Sequence, residues 1–292
     1  MNEMKNDNIY NLIAEKIPEM SKSHKKIASF ILNNTNVVPF LNVATLAKKA
    51  GVSEATVVRF ASFLGYSGYP ELQSRMQNSI QKQLTTTERL KMTTDVYDDR
   101  DQWIYDIFYG DVENIKSTIE KLDIEKFHQA VGLLQNADRI YIAANRSAAS
   151  LGIFLQYYLN IILGHAEMVR SIENLSEQLY NLNEKDVVIG ISFPRYTNST
   201  IQTITFAKER GSKTICITDS LLSPLIPYAD VALTATSQMP TFIDSFTAPL
   251  SLINALVVCI GKGRMKEAES RLEKIEAAWD RFGVFHKNDF AE

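Results

Sequence analysis

The sequence predicts an α/β protein in two parts, an all-α N-terminal domain followed by a doubly wound α/β domain built on a parallel sheet. Three observations carry this. Apolar residues recur at helical spacing from Tyr10 to about Ile80. After Asp138, short β-rich runs alternate with helical stretches. Those runs are apolar almost throughout, as strands buried on both faces of a parallel sheet must be.

The N-terminal helices are expected at 8–17, 23–33, 42–50, 53–64 and 69–82, punctuated by Pro18, Pro39 and the stretch from Gly65 to Gly68. Residues 83–101 are polar, include the threonines Thr85 to Thr87, and show no period, so they read as a linker. Helical spacing resumes at 102–122 and again at 124–136, where Asp123 stands as an N-cap. Strand and helix then alternate: 139–143 and 147–163, 166–170 and 173–181, 187–192 and 198–210, 213–218 and a turn, 231–235 and 247–262. An amphipathic helix at 265–282 ends the fold. The expected domains are therefore 1–82, a linker at 83–101, and 102–292.

With 292 residues, 45% hydrophobic and 22% charged, the chain is long enough for two cores and too apolar to be disordered. The polar start lacks a secretory signal, and the longest apolar run, Ala248 to Gly261, is too short for a membrane span. Cys216 and Cys259 lie in apolar segments, so buried thiols in a reducing cytoplasm are expected, with no disulfide and no metal site. The net charge of −3 is unevenly divided: residues 1–80 carry +3 and the remainder −6. The basic part is where nucleic acid would bind.

The run from Val43 to Leu72 has the spacing of a helix-turn-helix. Ala47 is small enough for two helices to cross closely, Gly51 supplies the turn, Val52 fills the gap and Ser53 caps the next helix. Val57, Phe60 and Leu64 form a buried stripe. The opposite face offers Ser53, Glu54, Ala55, Thr56, Arg59 and Ser62, with Lys48 and Lys49 before the turn. Such a helix presents its first residues to base edges in the major groove of double-stranded DNA. Lys22, Lys25 and Lys26 flank another helix start.

In the α/β part, three loops at strand ends open onto helices or turns, where unpaired N–H groups favour anions. They are Ala143-Ala144-Asn145-Arg146-Ser147, the stretch from Ser192 to Thr200, and Thr218-Asp219-Ser220. Asn145, Arg146, Ser147, Ser192, Arg195, Tyr196 and Thr197 are the candidate ligand residues, their arginines and hydroxyls suited to a phosphate or carboxylate. Asp244 and Ser245 read as caps of the helix near Pro249. His24, His128, His165 and His286 show no pattern for catalysis or metal, and His24 and His286 are expected to be exposed.

Residues 1–80, with SKSHKKIASFILNN and GYSGYPEL, resemble the N-terminal domain of the RpiR-type regulators, and the C-terminal part resembles the SIS (sugar isomerase) domain those regulators carry. The resemblance implies a cytoplasmic transcription regulator without cofactor or catalytic residue. Its SIS domain would bind a phosphorylated or acidic sugar derivative. The family's loops run Gly-x-Gly-x-Ser and Ser-x-Ser-Gly-x-Thr, so Ser147, Ser192 and Thr197 match its phosphosugar-binding hydroxyls. Ala143 and Asn145 replace both glycines of the first loop, and Pro194 and Arg195 replace the second serine and the glycine of the other. Two other readings stand beside this one: a SIS domain that only dimerises, and a sugar-phosphate isomerase. The expected assembly is a homodimer or dimer of dimers on an inverted repeat, with no membrane partner.

Overall fold

The structure, a computed structural model, describes residues 9–35, 37–81, 87, 90, 102–169, 175–239 and 243–286. The polar start at 1–8 and all of the expected linker at 83–101 except Thr87 and Leu90 lie outside the described residues, as do residues 170–174 at the end of one expected strand and the start of the next helix. Two compact units are present. One comprises the residues to Gly110 with Gln238–Asp244, the other Asp111–Ser237 and the residues from Ser245 onward.

The N-terminal helices are α1 (Ile9–Lys16), α2 (Lys22–Asn33), α3 (Val43–Ala50), α4 (Glu54–Phe63) and α5 (Tyr69–Gln81). Their apolar faces meet in one core around Ile13, Ile27, Ile31, Leu46, Phe60, Leu72 and Met76. A short helical turn at Val38–Phe40 interrupts the helices, leaving carbonyls that need partners. Side chains of α5 supply them. Tyr69 Oη donates to the Leu41 carbonyl at 2.7 Å, Gln73 Nε2 to the same carbonyl at 2.9 Å, and Gln77 Nε2 to that of Pro39 at 2.8 Å.

The helix α6 (Gln102–Glu120) leads to α7 (Ile124–Gln135), which Asp123 caps by accepting from Lys126 N–H at 3.0 Å. The sheet follows: β1 (Ile140–Ala144), β2 (Ala166–Met168), β3 (Val187–Ile191), β4 (Lys213–Thr218) and β5 (Val231–Thr234). Between and after the strands come α8 (Ala149–Ile162), α9 (Leu175–Leu179), α10 (Asn198–Glu209), α11 (Thr247–Gly263) and α12 (Met265–Phe282). All pairings are parallel, in the order β2-β1-β3-β4-β5. One face of the sheet packs Ile140, Ile142, Ile189 and Ile215 against α7, α8 and α11. The other packs Tyr141, Val188 and Cys216 with Leu179 and Ile204 of α9 and α10. Burial pushes the Cys216 thiol up to about 12, whereas Cys259 is only half-buried, unlike the expected pair of buried thiols.

The strand order reverses between β1 and β3, and two details hold that centre in place. A Cβ at Gly190 in β3 would stand 2.5 Å from Ile204 Cγ1, so glycine lets α10 lie close on the sheet. Beyond β1, Asn160 of α8 seals the edge strand: its side chain donates to the Ala166 carbonyl and accepts from the Ala166 N–H, both at 2.8 Å. Among the described residues no single helix is long and apolar enough to cross a membrane, and α11 and α12 meet at 101°.

Candidate functional site

The turn between α3 and α4 is built as the spacing requires. Gly51 has φ +65°, its N–H donates to the Lys48 carbonyl at 3.3 Å, and Val52 N–H donates to that of Ala47 at 3.0 Å. This pair of bonds closes α3 through a left-handed residue. Ala47 is buried, and so are Val57, Phe60 and Leu64 along α4.

Lys48, Lys49, Ser53, Glu54, Ala55, Arg59 and Ser62 are exposed and Thr56 is half-buried, so the candidate DNA face is assembled on the surface. Ser53 occupies the N-cap position, but its hydroxyl makes no capping bond, contrary to expectation. It bonds instead to Thr56 Oγ1 at 2.8 Å, which in turn accepts from Arg59 Nη2 at 3.4 Å. These residues lie three apart, on one side of the helix. The relay favours one orientation of the Arg59 side chain.

His24 was expected to be exposed, yet its ring packs 5.5 Å from Phe60 and 5.3 Å from Phe63. Burial, then the charge of Arg59, lowers its pKa from the usual 6.5. Val58 joins the exposed face, a residue that apolar periodicity assigns no more readily to surface than to core.

The second site lies at the carboxyl ends of β1 and β3, adjacent strands at the point where the strand order reverses. Ligands of open parallel sheets gather there because the following helices diverge to opposite faces and leave a crevice. The loop after β1 runs through Asn145 into a short turn, Arg146–Ala148, before α8. The loop after β3 runs from Ser192 to Thr197 and opens α10. Arg146 and Arg195 have φ +56° and +66° and are the described non-glycine residues with positive φ. Arg195 stands where the resembled pattern has glycine, and its backbone is left-handed, a conformation that glycine adopts without strain.

A hydroxyl network spans the two loops. Asn145 Nδ2 donates to Thr200 Oγ1 at 3.0 Å, Thr200 Oγ1 pairs with Thr197 Oγ1 at 2.9 Å, and Thr197 N–H reaches Ser192 Oγ at 3.4 Å. Ser192 and Thr200 are buried, while Arg146, Ser147 and Arg195 are exposed. Tyr196 turns aside, and its hydroxyl donates to Asp219 Oδ1 at 2.7 Å, beside Thr218 Oγ1 at 3.2 Å. Burial, then the charge of Asp219, raises the Tyr196 pKa, so the phenol stays a donor.

Thr200 is a member of the network that is not among the candidate ligand residues, and Asp219, of the third strand-end loop, holds Tyr196. Thr200 could have been found as the residue three beyond Thr197, one turn along the helix that opens at the site. Ser245 keeps part of its expected capping role by accepting from Thr247 N–H at 3.4 Å. Among the described residues no group of three or more His, Cys, Asp or Glu is placed to hold a metal.

Residues 7–83 match the family model for the helix-turn-helix domain of the rpiR family, and 133–259 match the SIS domain. An uncharacterized HTH-type transcriptional regulator of Haemophilus influenzae is 30% identical over 233 residues, covering 78% of this chain and 80% of that protein.

The chain is an RpiR-family transcription regulator.

The sugar isomerase domain of an RpiR transcription factor from Sphaerobacter thermophilus superposes on the regulator with TM-score 0.59 and 26% identity, covering 61% of the regulator and 99% of that domain. The Vibrio vulnificus NanR protein, complexed with ManNAc-6P, shares its fold at TM-score 0.59 and 19% identity, covering 96% of the regulator and all of NanR.

A left-handed backbone costs a residue with a Cβ about 1–2 kcal/mol. Arg195→Gly removes that strain but adds backbone freedom to the unfolded chain, which offsets part of the gain. The variant should therefore be more stable by about 0.5–1 kcal/mol in urea unfolding. A loss of stability would show that the Arg195 side chain contributes more to the folded state than its backbone costs.

Proposed function

We propose that the regulator reads an operator with α4 and that an anionic, sugar-like effector at the ends of β1 and β3 changes its affinity for that operator. The proposed division is a DNA-binding domain at 1–82, a linker at 83–101 and a sensor at 102–292. One observation carries the sensor reading. Two arginines are held in a conformation unfavourable to them, at the ends of adjacent strands, beside a network of buried hydroxyls. Guanidinium groups and hydroxyls together favour a phosphate or carboxylate through charge-assisted hydrogen bonds. NanR, of the same fold, is complexed with ManNAc-6P, which makes that sugar phosphate the first compound to try.

Sensing is preferred to isomerisation because the latter needs a base free to move a proton. The carboxylate of these loops, Asp219, already accepts from Tyr196 and Thr218. The DNA contacts proposed are Lys48, Lys49, Ser53, Glu54, Ala55, Thr56, Arg59 and Ser62. A homodimer or dimer of dimers on an inverted repeat is proposed with them. Tyr105, Phe108, Tyr109 and Ile119 of α6 and Ile153 and Tyr157 of α8 are all exposed, the kind of apolar surface that marks an interface. Two-fold symmetry in the protein would then match two half-sites in the DNA.

Three outcomes are expected. Arg59→Ala should weaken operator binding by about 1–3 kcal/mol at fixed salt without lowering the melting temperature, and unchanged affinity would remove Arg59 from the contacts. Light scattering at micromolar concentration should give at least a dimer mass; a monomer that still binds one half-site specifically would oppose the symmetric reading. Calorimetry with ManNAc-6P and other anionic sugars should show binding that Arg195→Ala and Ser192→Ala each diminish. Binding undiminished by both would place the pocket elsewhere, and no binding by any anionic sugar would favour a SIS domain that only dimerises.

A further inference from the structure

The carboxyl half of α6 is held to the α/β unit by polar side chains where helices ordinarily use apolar ones. Asp111 accepts from Ser245 Oγ with one carboxylate oxygen and from Thr247 Oγ1, at 2.9 Å, with the other. Two turns on, Thr118 Oγ1 accepts from Thr236 N–H at 2.9 Å while donating to the Asn114 carbonyl at 2.7 Å. Thr236 Oγ1 also reaches Ser117 Oγ at 3.3 Å. The buried positions of this half-helix are accordingly Asn114 and Thr118, at 4% and 7% exposure, while Val112 and Ile119 face outward. Apolar surfaces can slide past one another at small cost. Directional bonds between buried polar groups hold one register and leave costly unpaired groups in any other.

The partners of this clasp reach the strand-end site through one further contact. Phe246 stands between Ser245 and Thr247, and its ring centroid is 5.3 Å from that of Phe193. Phe193 is buried, follows Ser192 directly and precedes Arg195 by two residues. A path thus runs from the loop after β3, through the ring contact of Phe193 with Phe246, along the backbone to Ser245 and Thr247, and through their hydroxyls onto Asp111. The boundary between the two compact units falls between Gly110 and Asp111, immediately before the clasped residue.

We propose that the Asp111 clasp is the coupling element of the regulator: a change in the strand-end loops alters its hold on α6, and α6 carries the change towards the DNA-binding helices. This rests on the reading that an effector binds at the strand ends. Asp111 is a positioning residue in this scheme, acting through α6. Such coupling requires a contiguous element with two arrangements that both sites bias.

Two measurements test it. The first uses no effector. Phe193→Leu loosens the aromatic contact and should speed amide hydrogen exchange in α6 by about threefold or more in the otherwise native chain, and by much less when combined with Asp111→Ala, as linked residues are non-additive. Equal increments in both backgrounds would overturn the proposal. The second measures operator affinity with and without millimolar ManNAc-6P or glucose 6-phosphate, on an inverted repeat selected from random DNA. A coupling of about 5-fold or more in the native chain should fall to within about twofold of none in Asp111→Ala, with the sugar's own Kd nearly unchanged. Asp111→Asn, which keeps one oxygen acceptor, should lie between and serves if the alanine variant folds poorly. Coupling undiminished in both variants would overturn the clasp. If neither sugar phosphate binds the native chain, that effector reading is weakened separately, and the exchange result decides the clasp alone.

Discussion

The pairing of β1 with β3 is the constraint on which most of the α/β unit depends. Five parallel strands need crossovers on both faces, and an order of β2-β1-β3-β4-β5 sends the chain after β1 to one face and after β3 to the other. Two neighbouring strands therefore end in loops that part company, and the crevice between them is the place where polar groups can converge without disturbing the core. Ser192, Thr197 and Thr200 meet Asn145 there because the register of β1 on β3 brings Ala144 beside Ile191. Gly190 and Asn160 serve the same arrangement, one by admitting α10 close to the sheet and the other by closing its exposed edge.

The two arginines place a left-handed backbone at residues that carry a Cβ. Glycine is suited to a loop at positive φ because it has no Cβ to clash. Arg195 adopts the conformation without that freedom, and Arg146 adopts a similar one in the facing loop. Strain of this kind survives when the surrounding structure over-determines it, and it concentrates at functional positions. Here both strained residues lie in the loops that the network of Asn145, Thr197, Thr200 and Ser192 ties together, and both are exposed.

The N-terminal unit achieves order by different means. Its core is a single apolar cluster, but its turns depend on particular polar bonds: Gly51 and Val52 closing α3, and Tyr69, Gln73 and Gln77 satisfying carbonyls at Pro39 and Leu41. The exposed side of α4 is prepared in the same manner, with Ser53, Thr56 and Arg59 joined in a row. The His24 ring against Phe60 and Phe63 supports α4 from behind.

Periodicity and turn chemistry in the sequence alone determined the helices, the parallel strands, the Gly51 turn and the three strand-end loops, because each depends on residues within a few positions of one another. The sequence also carried the exposed face of α4, since its buried stripe defines what is left outside. Tertiary structure alone decided which loops are neighbours and that Tyr196 turns to Asp219. It alone brought Asp111 to Ser245 and Thr247, more than a hundred residues away, and turned the apolar side of α6 outward. The pattern of apolar residues along a helix says that one side differs from the other. Which side is buried depends on what the rest of the chain places against it.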